Sequence, residues 1–368
     1  PNPCLVGSTL VLTDKGNLPI DSLVGKEVNV WNGEEFSKVV PEITGHNQDI
    51  IEVSLSDGTM ISCTPYHGFM IDKIGKVEAK DLNIGDKLKK WHLPVIDGNE
   101  VLVNAYTQGF YSGDGSTSTQ RNRQSVYLYN EKEKLIKHLN YKHSWNCDGR
   151  IALDVTGEVN KDKSFVPFTP YSVRSRLDWL AGLIDSDGSV NDKGGSITIT
   201  SINREFLLDV KLMLTTLGSF STLSLMYDEG MNNMPDGKGS TKKYFCQKCY
   251  RLTISATNVK KLMDIGLNTH RVPLIANPNR DASRFIQVVG LINREEKEEN
   301  VYCFNEPKNH TGTFNGIMTA NCGEQPLPDF GCCCLGALNL SAFVNEPFTE
   351  NATFDFDAFT KSIHIAVR

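Results

Sequence analysis

Two stretches constrain this chain more than any others: YTQGFYSGDGS (106–116) and WLAGLIDSDGS (179–189). They align without a gap, placing Gly109 on Gly182, Asp114 on Asp187 and Gly115 on Gly188, 73 residues apart. A repeat of this size implies two related subdomains of one larger unit. Around it, RSRLDWLAGLI and NREFLLDVKLMLTTLG carry helical spacing, the latter with Asn203 or Ser201 as its cap, and LNYKHSWN reads as helical too. SITITSI and YRLTISA read as strands, so the middle of the chain is α/β. GMNNMPDGKGSTKK (230–243) reads as a polar, Gly-rich loop.

The flanks have a different character. In residues 4–100, short runs such as TLVLT, EVNVWN, IIEVSL, TMISC and FMI alternate with turn pairs, which predicts an all-β domain. VYCF and FNGIMTAN return to that pattern after Val301, and the tail ends in a predicted helix at DAFTKSIHIAVR. A length of 368 residues suits two or three domains. No run reaches the roughly 18 apolar residues of a membrane span, and no signal peptide is visible, so no membrane partner is expected. A first residue of Pro rather than Met points to a fragment or a processed product. Ten cysteines, three of them consecutive (Cys332, Cys333, Cys334), suggest reduced thiols and a cytoplasmic location. Residues 101–300 hold 26 Lys+Arg against 22 Asp+Glu, while the rest holds 12 against 22, so a mildly basic middle hints at a polyanion partner.

The second repeat copy, LAGLIDSDG, resembles the signature of the LAGLIDADG homing endonucleases and departs from it at Ser186; the first copy keeps Gly-x-x-x-x-Asp-Gly. Gly and Ala let two helices approach closely, and each helix ends in an acid. Paired carboxylates hold Mg²⁺, which activates water for phosphodiester hydrolysis. The resemblance implies that Asp114 and Asp187 are catalytic and metal-binding, each acid serving one strand of double-stranded DNA. Lys163 in KSFVP and Arg271 in HRVP are candidates to balance transition-state charge. Asp185 and Ser112 are expected to pack or cap. CQKC (Cys246, Cys249) offers half a zinc site, with Cys147 or a His as further ligand.

The flanks resemble an intein, with splicing blocks in order at CLVGSTLVLTDKGNLPI (4–20), DGTMISCTPYHGFMI (57–71), VEAKDLNIGDKL (77–88) and VYCFNEPKNHTGTFNGIMTAN (301–321). The resemblance implies that Cys4 attacks the Pro3 carbonyl to form a thioester. His67, titrating near neutral pH, protonates the leaving amine with help from Thr64. Cys322 then takes over the acyl group, Asn321 cyclises, and no cofactor is needed. Ala320 stands where His is usual, which shifts the load to His310. Cys303 stands where Asp or Cys is common, as a tuning group or a core cysteine.

Removing 4–321 joins PNP to CGEQPLPDFGCCCLG, which resembles the ribonucleotide reductase large subunit, particularly its adenosylcobalamin-dependent type. Asn2, Cys322 and Glu324 would then be substrate-holding, radical and base residues acting on a ribonucleotide in the complete spliced host. The expected organisation is a host segment (1–3), a splicing domain (4–100 and 296–321), an endonuclease (101–295) and a second host segment (322–368). The expected fold class is mixed: an all-β Hint-like horseshoe splicing domain with an inserted α/β LAGLIDADG endonuclease domain. Two alternatives stay open at this point, a degenerate non-splicing intein and a DNA-binding or endonuclease module alone.

Overall fold

The computed structural model describes residues 4–118, 122–191, 194–235, 240–275, 285–321 and 338–366. Asn2, Cys322 and Glu324 lie outside the described residues, as do Pro3 and Cys332–Cys334. The chain divides into two compact units, residues 1–326 and 327–368.

In the first unit the flanks of the repeat build two sheets. Six strands matter most: β1 (Leu5–Val6), β2 (Glu42–Gln48), β3 (Ile51–Leu55), β4 (Met60–Cys63), β5 (Val288–Asn293) and β6 (Glu298–Cys303). They pair in the order β5-β3-β4-β1-β6-β2, so strands from both ends of the unit interleave. A second sheet of eight strands repeats this, with Ile317–Ala320 beside Gly68–Ile71 and Thr311–Phe314 beside Leu10–Thr13. The apolar side of these short β-branched runs forms one core that includes Leu5, Val11, Val53, Ile61, Phe69, Val288 and Phe314. Strands from both flanks contribute to this core.

The repeat itself forms two helices, α1 (Ala105–Asp114) and α2 (Val173–Asp187), each running straight into a strand that opens a four-stranded antiparallel sheet. The Ser172 side chain caps α2 by accepting from the Ser175 amide, and Asn203 caps α3 (Arg204–Thr215) by accepting from the Phe206 amide. A Cβ added to Gly109 would stand 1.8 Å from the Trp179 carbonyl oxygen, and one on Gly182 would stand 2.0 Å from that of Tyr106. The two backbones touch where a side chain would otherwise separate them.

Two local expectations are corrected. LNYKHSWN is not helical: His143–Cys147 is a strand that pairs with Arg150–Asp154. Asp148 and Gly149 both have positive φ, as a two-residue hairpin turn requires, so turn chemistry outweighs the apolar spacing. GMNNMPDGKGSTKK is largely a hairpin rather than a loop, with Gly230–Pro235 paired to Thr241–Cys246. Among the described residues no helix is long and apolar enough to cross a membrane.

In the second unit a short strand pair, Val344–Asn345 with Thr353–Phe354, precedes a helix over Phe356–Ala366. The ring of Phe343 packs edge-on against Phe359, their centroids 5.3 Å apart.

Candidate functional site

Cys4 enters the six-stranded sheet at the head of β1, between β4 and β6, and is 1% exposed. Its amide donates to Thr64 Oγ1 at 3.0 Å, while the Thr64 amide donates to the Cys4 carbonyl at 2.9 Å. Thr64 follows β4 directly, so strand pairing sets this two-way clamp. Cys4 Sγ lies 2.9 Å from Thr44 Oγ1, a partner the sequence did not suggest. The buried thiol of Cys63, which ends β4, is pushed well above its ordinary range by burial and by Cys4 nearby.

From Thr64 the chain turns, the His67 amide donating to the Thr64 carbonyl at 3.0 Å. The His67 ring is fully buried, edge-on to Phe69 and Phe314. Its Nε2 meets Thr319 Oγ1 at 2.8 Å, and Nδ1 has no hydrogen-bond partner among the described residues. Burial, with Lys76 adding to it, lowers its pKa to about 3. The expectation of a histidine titrating near neutral pH is therefore corrected, since this site keeps the imidazole neutral at pH 7.

Asn321 is 1% exposed, and its side-chain Oδ1 accepts from Cys303 Sγ at 3.1 Å. Cys303, the last residue of β6, belongs to the same small buried cluster as Cys4. His310 reaches Asn321 by a different route from the one the sequence suggested. Its carbonyl accepts from the Asn321 amide at 2.7 Å, and the residue itself is exposed, with φ at 51°. Ala320 is buried.

The second site lies at the base of the α1–α2 pair. A Cβ on Gly113 would fall 2.0 Å from Ser186 Oγ and 3.1 Å from the Asp187 carboxyl carbon, so the helices stay in contact to their last turn. Asp114 forms an ion pair with Lys132 at 2.5 Å, another residue the sequence reading missed. Asp187 is an exposed residue, yet burial of its carboxyl raises its pKa and Asp114 adds to this, while Lys132, Lys163 and Arg271 pull it down. Asp114 raises the proton affinity of Asp187, and a divalent cation held by the two carboxylates would relieve that repulsion. Lys163 is exposed and near enough to act on Asp187 through charge.

Arg271 has another occupation. Its guanidinium donates to the carbonyls of Ile184, Asp185, Ser186 and Gly188, closing the C-terminal end of α2. The same guanidinium acts on the Asp187 carboxyl through charge, so it stands at the site as well as closing the helix. Asp185 is fully buried and accepts from Tyr106 Oη (2.8 Å) and from the amides of His270 (2.6 Å), Arg271 (2.9 Å) and Val272 (3.0 Å). Ser112 Oγ donates to the Gln108 carbonyl within its own helix at 3.1 Å. Cys246 and Cys249 are free thiols, and among the described residues no three His, Cys, Asp or Glu side chains gather into a metal site.

Residues 175–265 match the LAGLIDADG-like domain family. The chain is similar to the ribonucleoside-diphosphate reductase large subunit of Invertebrate iridescent virus 6, 36% identical over 93% of this chain and 38% of that protein. It is also similar to the ribonucleoside-diphosphate reductase NrdEB subunit alpha of Bacillus subtilis (strain 168), 24% identical over 88% and 36%. The chain thus spans under two fifths of the length of these relatives. Among solved structures, the G-1F mutant of Ssp DnaB mini-intein variant M86 overlays 87% of this chain and 99% of its own, at 10% identity and a TM-score of 0.32. Mesophilic variants of the homing endonuclease I-DmoI overlay 47% and 93%, at 18% identity and a TM-score of 0.29.

Proposed function

We propose that this chain is an intein with an inserted LAGLIDADG-like endonuclease domain set in a ribonucleotide reductase large-subunit sequence, and that residues 4–321 excise themselves and join Pro3 to Cys322. One observation carries the reading. Cys303 lies in the buried cluster of Cys4 and bonds Asn321, so the first and last residues of the excised segment share one site.

Cys4 Sγ attacks the Pro3 carbonyl, and the clamp with Thr64 holds the Cys4 amide nitrogen in place as the leaving group. His67, on the turn that follows Thr64, is the residue that passes a proton to the freed nitrogen, and its low proton affinity makes it a strong donor once charged. Cys322 takes the acyl group from Cys4. Asn321 then closes on its own carbonyl and releases Cys322, with Cys303 fixing the carbonyl end of its side-chain amide. Transfer of the acyl group from sulfur to nitrogen completes the join.

The inserted domain is a DNA endonuclease in this reading, acting on double-stranded DNA at a homing site in the uninterrupted host gene. Asp114 and Asp187 would hold Mg²⁺, which supplies an activated water and charge neutralisation, and Lys132 and Lys163 bring positive charge to the same corner. In the spliced host, Asn2, Cys322 and Glu324 would serve ribonucleotide reduction. Adenosylcobalamin is the cofactor proposed for that complete enzyme, and no residue of this chain is assigned to it.

Splicing is tested by expressing the chain and weighing its products. Mass spectrometry should find residues 4–321 as one free species and the remainder as one ligated species, both lost in Cys4→Ala. Identical products from the wild type and Cys4→Ala would overturn the reading.

A further inference from the structure

The ladder between β2 and β6 slips by one residue: Val301 faces Gly45, but Tyr302 faces Ile43. Thr44 is the extra residue of this β-bulge. Because β6 lies between β1 and β2, Cys4 and Thr44 sit two strands apart, about 9.5 Å at ordinary strand spacing. Their side chains nevertheless meet at 2.9 Å. A bulge bends its strand and re-aims a side chain, which is the distortion needed to bring this hydroxyl to that sulfur. Thr44 is 7% exposed, and its Oγ1 also lies 3.3 Å from the Val301 carbonyl oxygen.

We propose that Thr44 is a positioning residue for the Cys4 thiol, an inference that rests on the splicing reading above. In the resting chain the hydroxyl donates to the Val301 carbonyl and accepts the Cys4 S–H, which fixes the sulfur. When the sulfur loses its proton, the hydroxyl turns and donates to the thiolate. Thr44 makes and breaks no covalent bond. In the acyl shift a bond forms between Cys4 Sγ and the Pro3 carbonyl carbon, the bond from that carbon to the Cys4 nitrogen breaks, and the thiol proton ends on the freed nitrogen. The titratable groups around Cys4 are the thiols of Cys63 on β4 and Cys303 on β6 and, beyond Thr64, the imidazole of His67 with Lys76 beside it.

The test uses the full chain carrying Asn321→Ala and Cys322→Ala, so that only the first step proceeds. Two quantities are followed by mass spectrometry from neutral to alkaline pH: cleavage of the Pro3–Cys4 junction by dithiothreitol, and alkylation of Cys4 by iodoacetamide. Thr44→Val keeps the shape and removes the hydroxyl, and it should slow cleavage by about tenfold or more, the worth of a hydrogen bond to a charged group. Both pH profiles should move to higher pH, and Thr44→Ser should restore most of the rate. The proposal is overturned if Thr44→Val cleaves and alkylates as its parent does. It is equally overturned if the Val and Ser variants lose rate alike with unmoved pH profiles, the mark of a packing role. A parent that does not cleave, together with an alkylation profile that still moves in Thr44→Val, would sink the splicing reading and leave the Thr44 contact standing.

Discussion

At neutral pH the imidazole of His67 carries no charge, because the strands and the Phe69 and Phe314 rings exclude the water that a cation needs. Its pKa is about 3 in the fold against an ordinary 6.5. The folded value lies below the unfolded one, so this contribution to stability is complete above pH 6.5 and lost as pH falls from 6.5 towards 3. The shift corresponds to about 5 kcal/mol. In a chain held unspliced by Cys4→Ala and Asn321→Ala, the unfolding midpoint should therefore drop steeply over that window. Adding His67→Gln should flatten the drop, and equal slopes would show that His67 is not the titrating group. Cys4, Thr64, His67 and Asn321 were legible in the sequence because acyl transfer and cyclisation demand those side chains, in that order. Thr44 and Thr319 were not. A threonine on a strand is unremarked until long-range register shows what it faces, and here that is Cys4 and His67.

The helix pair was the most legible element, since a repeat with aligned glycines and aligned acids leaves few other ways to fold. Close backbone approach is a demand on residue type, and it appears directly in the text of the sequence. Lys132 marks the limit of that legibility. Lysines are common on surfaces, and only the folded neighbourhood sends this one to Asp114. The consequence is an experiment on spacing. Gly182→Ala places a methyl against the Tyr106 carbonyl and should cost about 1–3 kcal/mol of stability, as overpacking does. It should also reduce Mg²⁺-dependent cutting of the uninterrupted host gene, because the last turns carrying Asp114 and Asp187 move apart. Asp187→Asn should abolish cutting and leave stability nearly unchanged. Cutting that survives Asp187→Asn would move the active site elsewhere.

On the scale of the whole first unit, the sequence suggested an insertion, and an insertion can hang from its host on two linkers. The structure joins the two cores more firmly than that. Lys211 on α3 reaches Asp57 Oδ2 and Thr59 Oγ1, each at 2.5 Å, in a buried ion pair whose side chains are 7% and 6% exposed. The Leu223 amide donates to the Asp57 carbonyl at 2.9 Å, and Asn17 Nδ2 donates to the Leu212 carbonyl at 3.1 Å. Asp57 stands three residues before β4, the strand that delivers Thr64 and His67, while α3 packs on the four-stranded sheet that follows α2. No local pattern announces such a pair, since its members are 154 residues apart. Removing one partner of a buried pair leaves the other charge stranded, at a cost of about 3–5 kcal/mol. Lys211→Met should therefore destabilise both cores together, and hydrogen exchange should quicken in Met60–Cys63 as much as in Ile197–Ser201. Asp57→Asn added to Lys211→Met should recover part of the loss, because the amide keeps the turn contact to Thr59 without the charge. Faster exchange confined to Ile197–Ser201 would mean that the pair does not bind the cores into one cooperative body, and that the splicing half keeps its own stability.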